Sequence, residues 1–299
     1  MIVKKEYDWT PGASAVTKDI ELAKRPIAAI ILNMDMLGAG AAATYANALT
    51  QLGTKIYVKD GGTKITPEWS LAELAEYQAS FFGRLPTFQD GTAADNKLAL
   101  LQVVIPFGRP SVFSHWSLFP SIIDPHVGFK PTNQPYIYFD LPADANSIDT
   151  RHIKVTAVYY DNFMPRYNKK WTDWSTQTVS TTSLTDWTIG DKGLWLEALL
   201  FATSEYNATL TADAPSIKDI EIERLGKDVM FSGAVPNILG ALINPLHTTP
   251  VTDDEYLYMA LSQAPFDNFQ NCVRLSGETK FRILGGVADA VKAAFSVIT

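Results

Sequence analysis

Hydrophobic and polar residues alternate along much of the chain with a period of two. In KIYVKD, which begins at Lys55, the apolar Ile56 and Val58 alternate with lysine and tyrosine side chains. This pattern is typical of a strand with one buried face. Comparable runs predict short strands that start at Ala15, Pro26, Lys55, Leu98, Tyr136, His152, Thr176, Leu194, Ile217, Tyr256, Thr279 and Val291. Many short strands bounded by Gly, Pro and Asp turns predict an all-β sandwich or barrel.

Helix signals are few. Asp60-Gly61-Gly62 contains residues that tolerate a positive φ, as a tight hairpin requires. Pro67 and Glu68 follow and predict a helix over residues 68–79, with its apolar side chains on one face. A second helix is predicted over 236–242, and a helical turn near 114–123.

The predicted elements recur in the same order. The block TKIYVKDGGTKITPEWSLAELAEY from Thr54 is matched by IKDIEIERLGKDVMFSGAVPNILGAL from Ile217. Each block gives an alternating strand, a glycine turn, a short strand and a proline-started helix. Blocks from Ala15 and Pro135 are matched in turn by blocks from Thr178 and Thr279, with Val16 laid against Val179 and Tyr136 against Phe281. An internal duplication follows, with a first barrel in residues 1–160 and a connector and second barrel in residues 161–299.

Composition narrows the class of protein. The 299 residues are 46% hydrophobic and 19% charged, which suits a folded chain, and the net charge is −7. No basic stripe is present, so direct nucleic-acid binding is not expected. No apolar run reaches the roughly 20 residues of a membrane-spanning helix. MIVKKEYDWTPG has no apolar core of a secretory signal, and Cys272 as the single cysteine fits a reducing cytoplasm.

Candidate chemistry is sparse. The four histidines, His115, His126, His152 and His247, have no metal-ligand spacing, and His152 is expected at a surface or edge. Neither a Gly-x-Ser-x-Gly elbow nor a phosphate-binding glycine loop is present. No metal site and no cofactor are therefore predicted.

Two clusters of acidic residues could be candidates for a glycosidase site, because glycosidases use a pair of carboxylates at the bond that they cleave. Asp253, Asp254 and Glu255 follow Pro250 and are expected in a solvated turn. Glu221 and Glu223 alternate with isoleucines and are expected to point to water. No catalytic residue is predicted, and the chain is not expected to be an enzyme.

Tryptophan is the one residue type that indicates a surface for binding. Trp171, Trp174 and Trp187 lie close together, the first two in the connector DNFMPRYNKKWTDWS. Such side chains stack on sugars or anchor protein interfaces. Trp171 and Trp174 are expected at an interface between barrels or subunits. A carbohydrate-binding or glycan-cleaving β-sandwich is the alternative, and a phage spike adhesin is another.

The chain resembles the double jelly-roll major capsid proteins of icosahedral, membrane-containing bacteriophages. This is the lineage of tectivirus, corticovirus and adenovirus-hexon-type shells. The shared features are the tandem barrels, the short helix after a hairpin, and an acidic, cysteine-poor composition. The strand–DGG–ITPEWSLAELAEY block carries the resemblance, and the block from Ile217 repeats it. The resemblance implies two tandem eight-stranded jelly-roll barrels with short helices in the loops, standing perpendicular to a viral shell. It also implies homotrimers of pseudo-sixfold outline that tile the lattice.

The same resemblance implies the partners and the location of the chain. The partners would be further copies of the chain, minor capsid and vertex proteins, and the internal viral membrane. The protein would be made in the host cytoplasm and reside in the virion capsid. The amino terminus is shorter than the basic arm of some relatives, and Lys4, Lys5, Tyr7 and Trp9 are expected to contact membrane headgroups or a neighbouring subunit.

Overall fold

The structure is a computed structural model in which the chain forms two compact units, Met1–Lys170 and Trp171–Thr299. The predicted division of the jelly rolls at residue 160 stays a prediction. The described residues are 2–38, 44–82, 86–89, 98–110, 123–124, 127–144, 148–161, 164–188, 195–202, 217–224, 228–234, 256–260, 273–274, 279–286 and 290–299. The helix predicted over 236–242 lies outside them, as does the predicted turn near 114–123 except for its last residue.

The first unit holds both described helices and the longer strands. Its elements are β1 (Ile2–Trp9), β2 (Val16–Glu21), β3 (Ile27–Gly38), α1 (Tyr45–Gln51), β4 (Lys55–Asp60), β5 (Thr63–Lys64), α2 (Leu71–Phe82), β6 (Thr87–Gln89), β7 (Leu98–Pro106), β8 (Arg109–Pro110), β9 (Ile123–Asp124), β10 (Val127–Gly128), β11 (Pro135–Leu141) and β12 (Ile148–Tyr159). Residues 2–9, expected as a short arm, thus form a strand.

The second unit follows β13 (Tyr167–Trp171), whose last residue is the first of that unit. Its elements are β14 (Ser175–Thr178), β15 (Thr185–Thr188), β16 (Trp195–Ala202), β17 (Asp219–Arg224), β18 (Asp228–Ala234), β19 (Tyr256–Ala260), β20 (Val273–Arg274), β21 (Thr279–Leu284) and β22 (Ala290–Ile298).

Strand pairing follows one order in both units. In the first unit one sheet has the order β1-β12-β3-β7-β6 and the other β2-β11-β4-β5. In the second unit β14 pairs with β22, which continues to β16 and β19, while the other sheet has the order β15-β21-β17-β18. Strands early in each unit pair with strands late in it, as in a double-sheet jelly roll. The shared order supports the predicted duplication.

One predicted strand was wrong. The run TQTVSTTSL from Thr176 was expected as a single strand, but β14 ends at Thr178 and β15 begins at Thr185, in a different sheet. Between them the Ser180 hydroxyl accepts hydrogen bonds from the backbone N–H groups of Thr182 and Ser183. This local turn uses backbone donors that a continuous strand would give to a neighbour. Val179 therefore lies in a loop, and its alignment with Val16 was wrong by several residues.

The core of the first unit lies between its two sheets. Ile30, Leu32 and Met34 of β3 are fully buried at every second position, as the sequence pattern requires. They belong to a buried set that includes Ile56, Val58, Ile137, Phe139, Ile153 and Val155. Burial of each such side chain stabilises the fold by about 1.5–3 kcal/mol.

Helix α2 begins later than predicted. Ser70 and Glu73 form a capping box, in which Glu73 N–H donates to Ser70 Oγ at 3.1 Å and Ser70 N–H to Glu73 Oε2 at 2.7 Å. Before it, Trp69 exchanges backbone hydrogen bonds with Ile56 and stays extended. Pro67 and Glu68 therefore precede the helix, and the predicted start was wrong.

The Asp60-Gly61-Gly62 hairpin forms as predicted. Gly61 has a φ of 60°, which glycine adopts without the steric penalty of a side chain. The Asp60 carboxylate accepts hydrogen bonds from the backbone N–H groups of Thr132 at 2.9 Å and Asn133 at 2.7 Å. The hairpin is thereby fixed to the loop before β11.

Arg151 joins two loops and the end of α1 at one end of the first unit. Its side chain is fully buried and donates to the backbone oxygens of Pro142 at 2.6 Å, Gly12 at 2.7 Å and Gln51 at 3.3 Å. Asp144 lies 2.7 Å from Nε and balances the charge. Burial lowers the pKa of Arg151, and the Asp144 carboxylate opposes that shift.

Replacing Arg151 should destabilise the first unit. We expect Arg151→Met to lower the free energy of unfolding by about 3 kcal/mol, because three carbonyls and a carboxylate lose their buried partner. Arg166→Lys is the matched control, since Arg166 is exposed. Urea unfolding of the purified chain measures both changes, and an unfolding midpoint unaltered in Arg151→Met would contradict the expectation.

Candidate assembly surface

Strand β1 forms an edge of the five-stranded sheet. It pairs antiparallel with β12, from Ile2 opposite Tyr159 to Trp9 opposite Ile153. Among the strands of the described residues, only β12 pairs with β1, so the outer edge of β1 carries backbone donors and acceptors without a strand partner there. An edge of this kind is a natural surface for contact with another chain.

Two of the predicted contact residues point outward from β1. The side chains of Lys4 and Lys5 are 55% and 63% exposed. Lys4 Nζ lies 3.0 Å from Glu6 Oε2, and Lys5 Nζ lies 3.2 Å from Asp8 Oδ2. Both ammonium groups lie at the surface, where an ion pair contributes at most about 1 kcal/mol, so each lysine can exchange partners.

The other two predicted contact residues attach β1 to its own unit. Tyr7 is half-buried, and Lys18 Nζ lies 5.3 Å from its ring centroid. Trp9 is also half-buried and meets Phe139 edge-to-face, with ring centroids 6.4 Å apart. The role of all four residues against a membrane or a neighbouring subunit stays a prediction.

Glu6 is the bulge residue of β1. The pairing register shifts between Lys5 and Tyr7, and the Tyr159 hydroxyl donates a hydrogen bond to Glu6 Oε1. The same hydroxyl accepts from Ala23 N–H at 2.9 Å. Burial, and then the hydrogen bond to the Glu6 carboxylate, raise the pKa of Tyr159, so the hydroxyl stays protonated.

His152 lies between two carboxylates on the outer face of the same sheet. Its Nε2 contacts Asp8 Oδ1, and its Nδ1 lies 3.3 Å from Asp35 Oδ2. The hydrogen bond from His152, and then that from Lys5, lower the pKa of Asp8. Because the two ring nitrogens face different carboxylates, one metal ion could not bind all three side chains. In the described part of the chain, no three His, Cys, Asp or Glu side chains are grouped to hold a metal ion.

The four-stranded sheet of the first unit carries a cluster of tyrosines on its outer face. Tyr57 and Tyr138 stack with ring centroids 4.6 Å apart. Lys59 Nζ lies 2.8 Å from the Asp19 carboxylate and 5.5 Å from the Tyr136 ring centroid. Half-buried tyrosines beside cations are typical of protein interfaces, because they cover a large area with few rotatable bonds.

The corresponding sheet of the second unit carries a ladder of charges on its outer face. Arg282 lies 2.9 Å from Asp186 and 3.0 Å from Glu221, and it also contacts Glu223. Lys280 Nζ lies 3.2 Å from Asp186. Burial raises the pKa of Asp186, but the hydrogen bonds and charges of Lys280 and Arg282 outweigh burial and lower it.

The prediction that Glu223 points to water was wrong. Glu223 is only 5% exposed, because Arg282 on the neighbouring strand covers its carboxylate. Glu221 is half-buried in the same ladder, with a side chain 16% exposed. Strand alternation placed both on the face away from the core, but only tertiary structure brings the arginine over them.

The tryptophans of the connector lie in the second unit. Trp171 is buried, and Trp174 is half-buried with Lys292 Nζ 4.7 Å from its ring centroid. Trp187 is buried and donates from Nε1 to Ser175 Oγ at 3.0 Å. The interface role of Trp171 and Trp174 stays a prediction.

Several residues of the sequence analysis lie outside the described part of the chain. They are His115, His126, His247, Asp253, Asp254, Glu255 and Cys272. Within the described residues, no helix is both long enough and apolar enough to cross a membrane.

Comparison with known proteins identifies the fold. No protein-family model matches the chain, and no curated protein matches its sequence. Among solved structures, the major capsid protein of STIV matches 100% of this chain and 97% of its own, with a TM-score of 0.64 and 10% identity. The major capsid protein of bacteriophage PM2 matches 99% of this chain and 97% of its own, with a TM-score of 0.64 and 12% identity.

A chain of the PBCV-1 virus capsid is also similar, over 99% of this chain and 92% of its own, with a TM-score of 0.51 and 10% identity. At these identities the likeness is one of fold. The predicted fold class, all-β with two tandem jelly rolls, is confirmed. The number of eight strands in each barrel stays a prediction, because short strands such as β6 and β20 also join the sheets.

Sequence reasoning missed the contacts that hold β1 in place. Glu6, Asp8 and His152 were not connected in the sequence analysis, because Asp8 and His152 are separated by 144 residues. The tyrosine cluster was also missed, although the alternation in KIYVKD and YIYFDL places Tyr57, Tyr136 and Tyr138 opposite the buried residues. That alternation was the available signal.

Replacing Tyr159 tests the attachment of β1. We expect Tyr159→Phe to lower the free energy of unfolding by about 1–2 kcal/mol, because the Glu6 carboxylate, 6% exposed, loses its hydroxyl donor. Tyr138→Phe is the control, since its ring lies on the outer face, and a change within about 0.5 kcal/mol is expected. Equal effects in urea unfolding would refute a special role for the Tyr159 hydroxyl.

Proposed function

We propose that the chain is a viral major capsid protein, the trimeric building block of an icosahedral shell. The observation that carries this proposal is the full-length match to two major capsid proteins, each covered over 97% of its own chain. Both jelly-roll units are included in the match, not a single shared barrel. The role is structural, and the chain carries out no reaction.

The physical character of the surfaces supports assembly. The outer sheet faces carry stacked tyrosines in one unit and a charge ladder in the other. Aromatic side chains supply contact area, and complementary charges fix the register of partners and exclude wrong ones. Copies that pair around a closed ring make a finite trimer, and weaker lateral contacts then extend it into a lattice.

The proposed partners follow from this role. They are further copies of the chain, minor capsid and vertex proteins, and the internal membrane of a bacteriophage. The exposed Lys4 and Lys5 of β1 provide the membrane or subunit contact. The net charge of −7 argues against a direct contact with the genome. The protein is made in the host cytoplasm and resides in the virion capsid.

The oligomeric state tests the proposed function. Light scattering on the purified chain should give three times the mass of one chain, and negative-stain images should show particles with a hexagonal outline. Both measurements are made on the chain alone, without a glycan. A persistent monomer that hydrolyses glycans would overturn the proposal in favour of a carbohydrate-active sandwich.

The contact role of β1 has its own test. We expect Lys4→Glu with Lys5→Glu to weaken binding to vesicles of anionic phospholipid or to shift the trimer–monomer equilibrium toward monomer. Two cations contribute roughly 1 kcal/mol each near such a membrane surface. Lys24→Glu with Arg25→Glu is the matched control, because both residues are exposed in the same unit. Unchanged vesicle binding and unchanged trimer stability in the β1 variant would exclude the role.

A further inference from the structure

His152 connects the edge strand β1 to the interior of its sheet. Asp8 belongs to β1, His152 to β12 and Asp35 to β3, so the imidazole on the middle strand touches a carboxylate on each neighbour. The His152 side chain is 28% exposed and lies on the outer face, opposite the buried Ile153 and Val155. Solvent protons can therefore reach it.

The two contacts together need the charged form of the imidazole. The imidazolium has an N–H on each ring nitrogen and can donate to both carboxylates at once. The neutral ring has one N–H and one lone pair, so one carboxylate would face a lone pair. Loss of the proton therefore costs one of the two contacts, and it also removes the charge attraction of the other.

The contact to β1 weakens in either form of the neutral ring. Nε2 approaches Asp8 more closely than Nδ1 approaches Asp35, which lies 3.3 Å away. With the remaining N–H on Nε2, the hydrogen bond to Asp8 loses its charge attraction, and with the N–H on Nδ1, Asp8 faces a lone pair. Asp8, whose side chain is 38% exposed, keeps Lys5 at 3.2 Å and can turn to water, because it lies on an edge strand.

The other charged and polar groups around the imidazole lie on the same three strands. Lys5 lies on β1, Lys154 lies on the same face of β12, and β3 carries Asp35 and Asn33 there. Asn33 is bound to Gln102 of β7 at 2.8 Å. The hydrogen bond from His152 lowers the pKa of Asp8, which keeps that carboxylate ionised. Imidazole is the side chain whose charge ordinarily changes between about pH 5 and 8.

We propose that Asp8, His152 and Asp35 form a pH-dependent latch that holds the amino-terminal strand β1 on the first unit. The imidazolium donates to Asp8 and Asp35 at once and so holds β1 to the sheet. When the pH rises and the ring loses its proton, the contact to Asp8 weakens and β1 opens more often. The device would make the sheet edge and its exposed lysines responsive to the pH around the protein.

Hydrogen exchange tests the latch. Deuterium uptake of a peptide covering residues 2–9 is followed by mass spectrometry between about pH 5.5 and 8.5, and corrected for the intrinsic exchange rate. We expect the opening of β1 to increase by about fourfold across this range. A peptide covering β4, at the centre of the other sheet, is the internal reference and should show no such increase.

Variants separate the latch from a merely structural contact. His152→Gln should remove the pH dependence of the β1 peptide, because the glutamine side chain has the same charge at every pH. Lys24→Gln, at an exposed position of the same unit, should leave the profile unchanged. A pH dependence that persists in His152→Gln, or protection of β1 that rises with pH in the natural chain, overturns the proposal.

Discussion

The pairing of β12 with both β1 and β3 is the interaction on which the first unit depends. β12 lies late in this unit, yet it closes the sheet that the earliest strand begins. In the second unit β22 has the same position between β14 and β16. Each sandwich is therefore incomplete until its last strand is in place. Pairing between strands so far apart in sequence forms slowly, because the chain loses the entropy of closing a long loop before the stabilising contacts form.

Buried polar side chains fix the loops and edges that strand pairing leaves open. Arg151 binds the carbonyls of two loops and of the end of α1, and Asp60 binds the backbone before β11. Strand β6 covers only part of β7, and beyond it Gln78 of α2 accepts a hydrogen bond from Val104 N–H at 2.6 Å. Each contact satisfies a backbone group that would otherwise be buried without a partner. The sandwich thereby gains one defined arrangement of its ends.

The surfaces of the two units differ although their strand orders agree. Tyrosines beside lysines cover one outer sheet face, and paired charges cover the other. Unlike surfaces on a duplicated fold would suit the proposed trimer, in which each barrel would meet different neighbours. The proposed latch at His152 would make the attachment of the β1 edge depend on the charge of one side chain.

The sequence by itself determined the features that local patterns control. Alternation in KIYVKD and YIYFDL gave the strands and their buried faces, Asp60-Gly61-Gly62 gave the hairpin, and the order of the blocks gave two similar units. Tertiary structure alone decided where α2 begins, because Trp69 pairs with Ile56 instead of continuing a helix. It also buried Glu223 under Arg282 and joined Asp8 to His152. Those partners lie far apart along the chain, and a local period of two residues contains no information about which strand will become a neighbour.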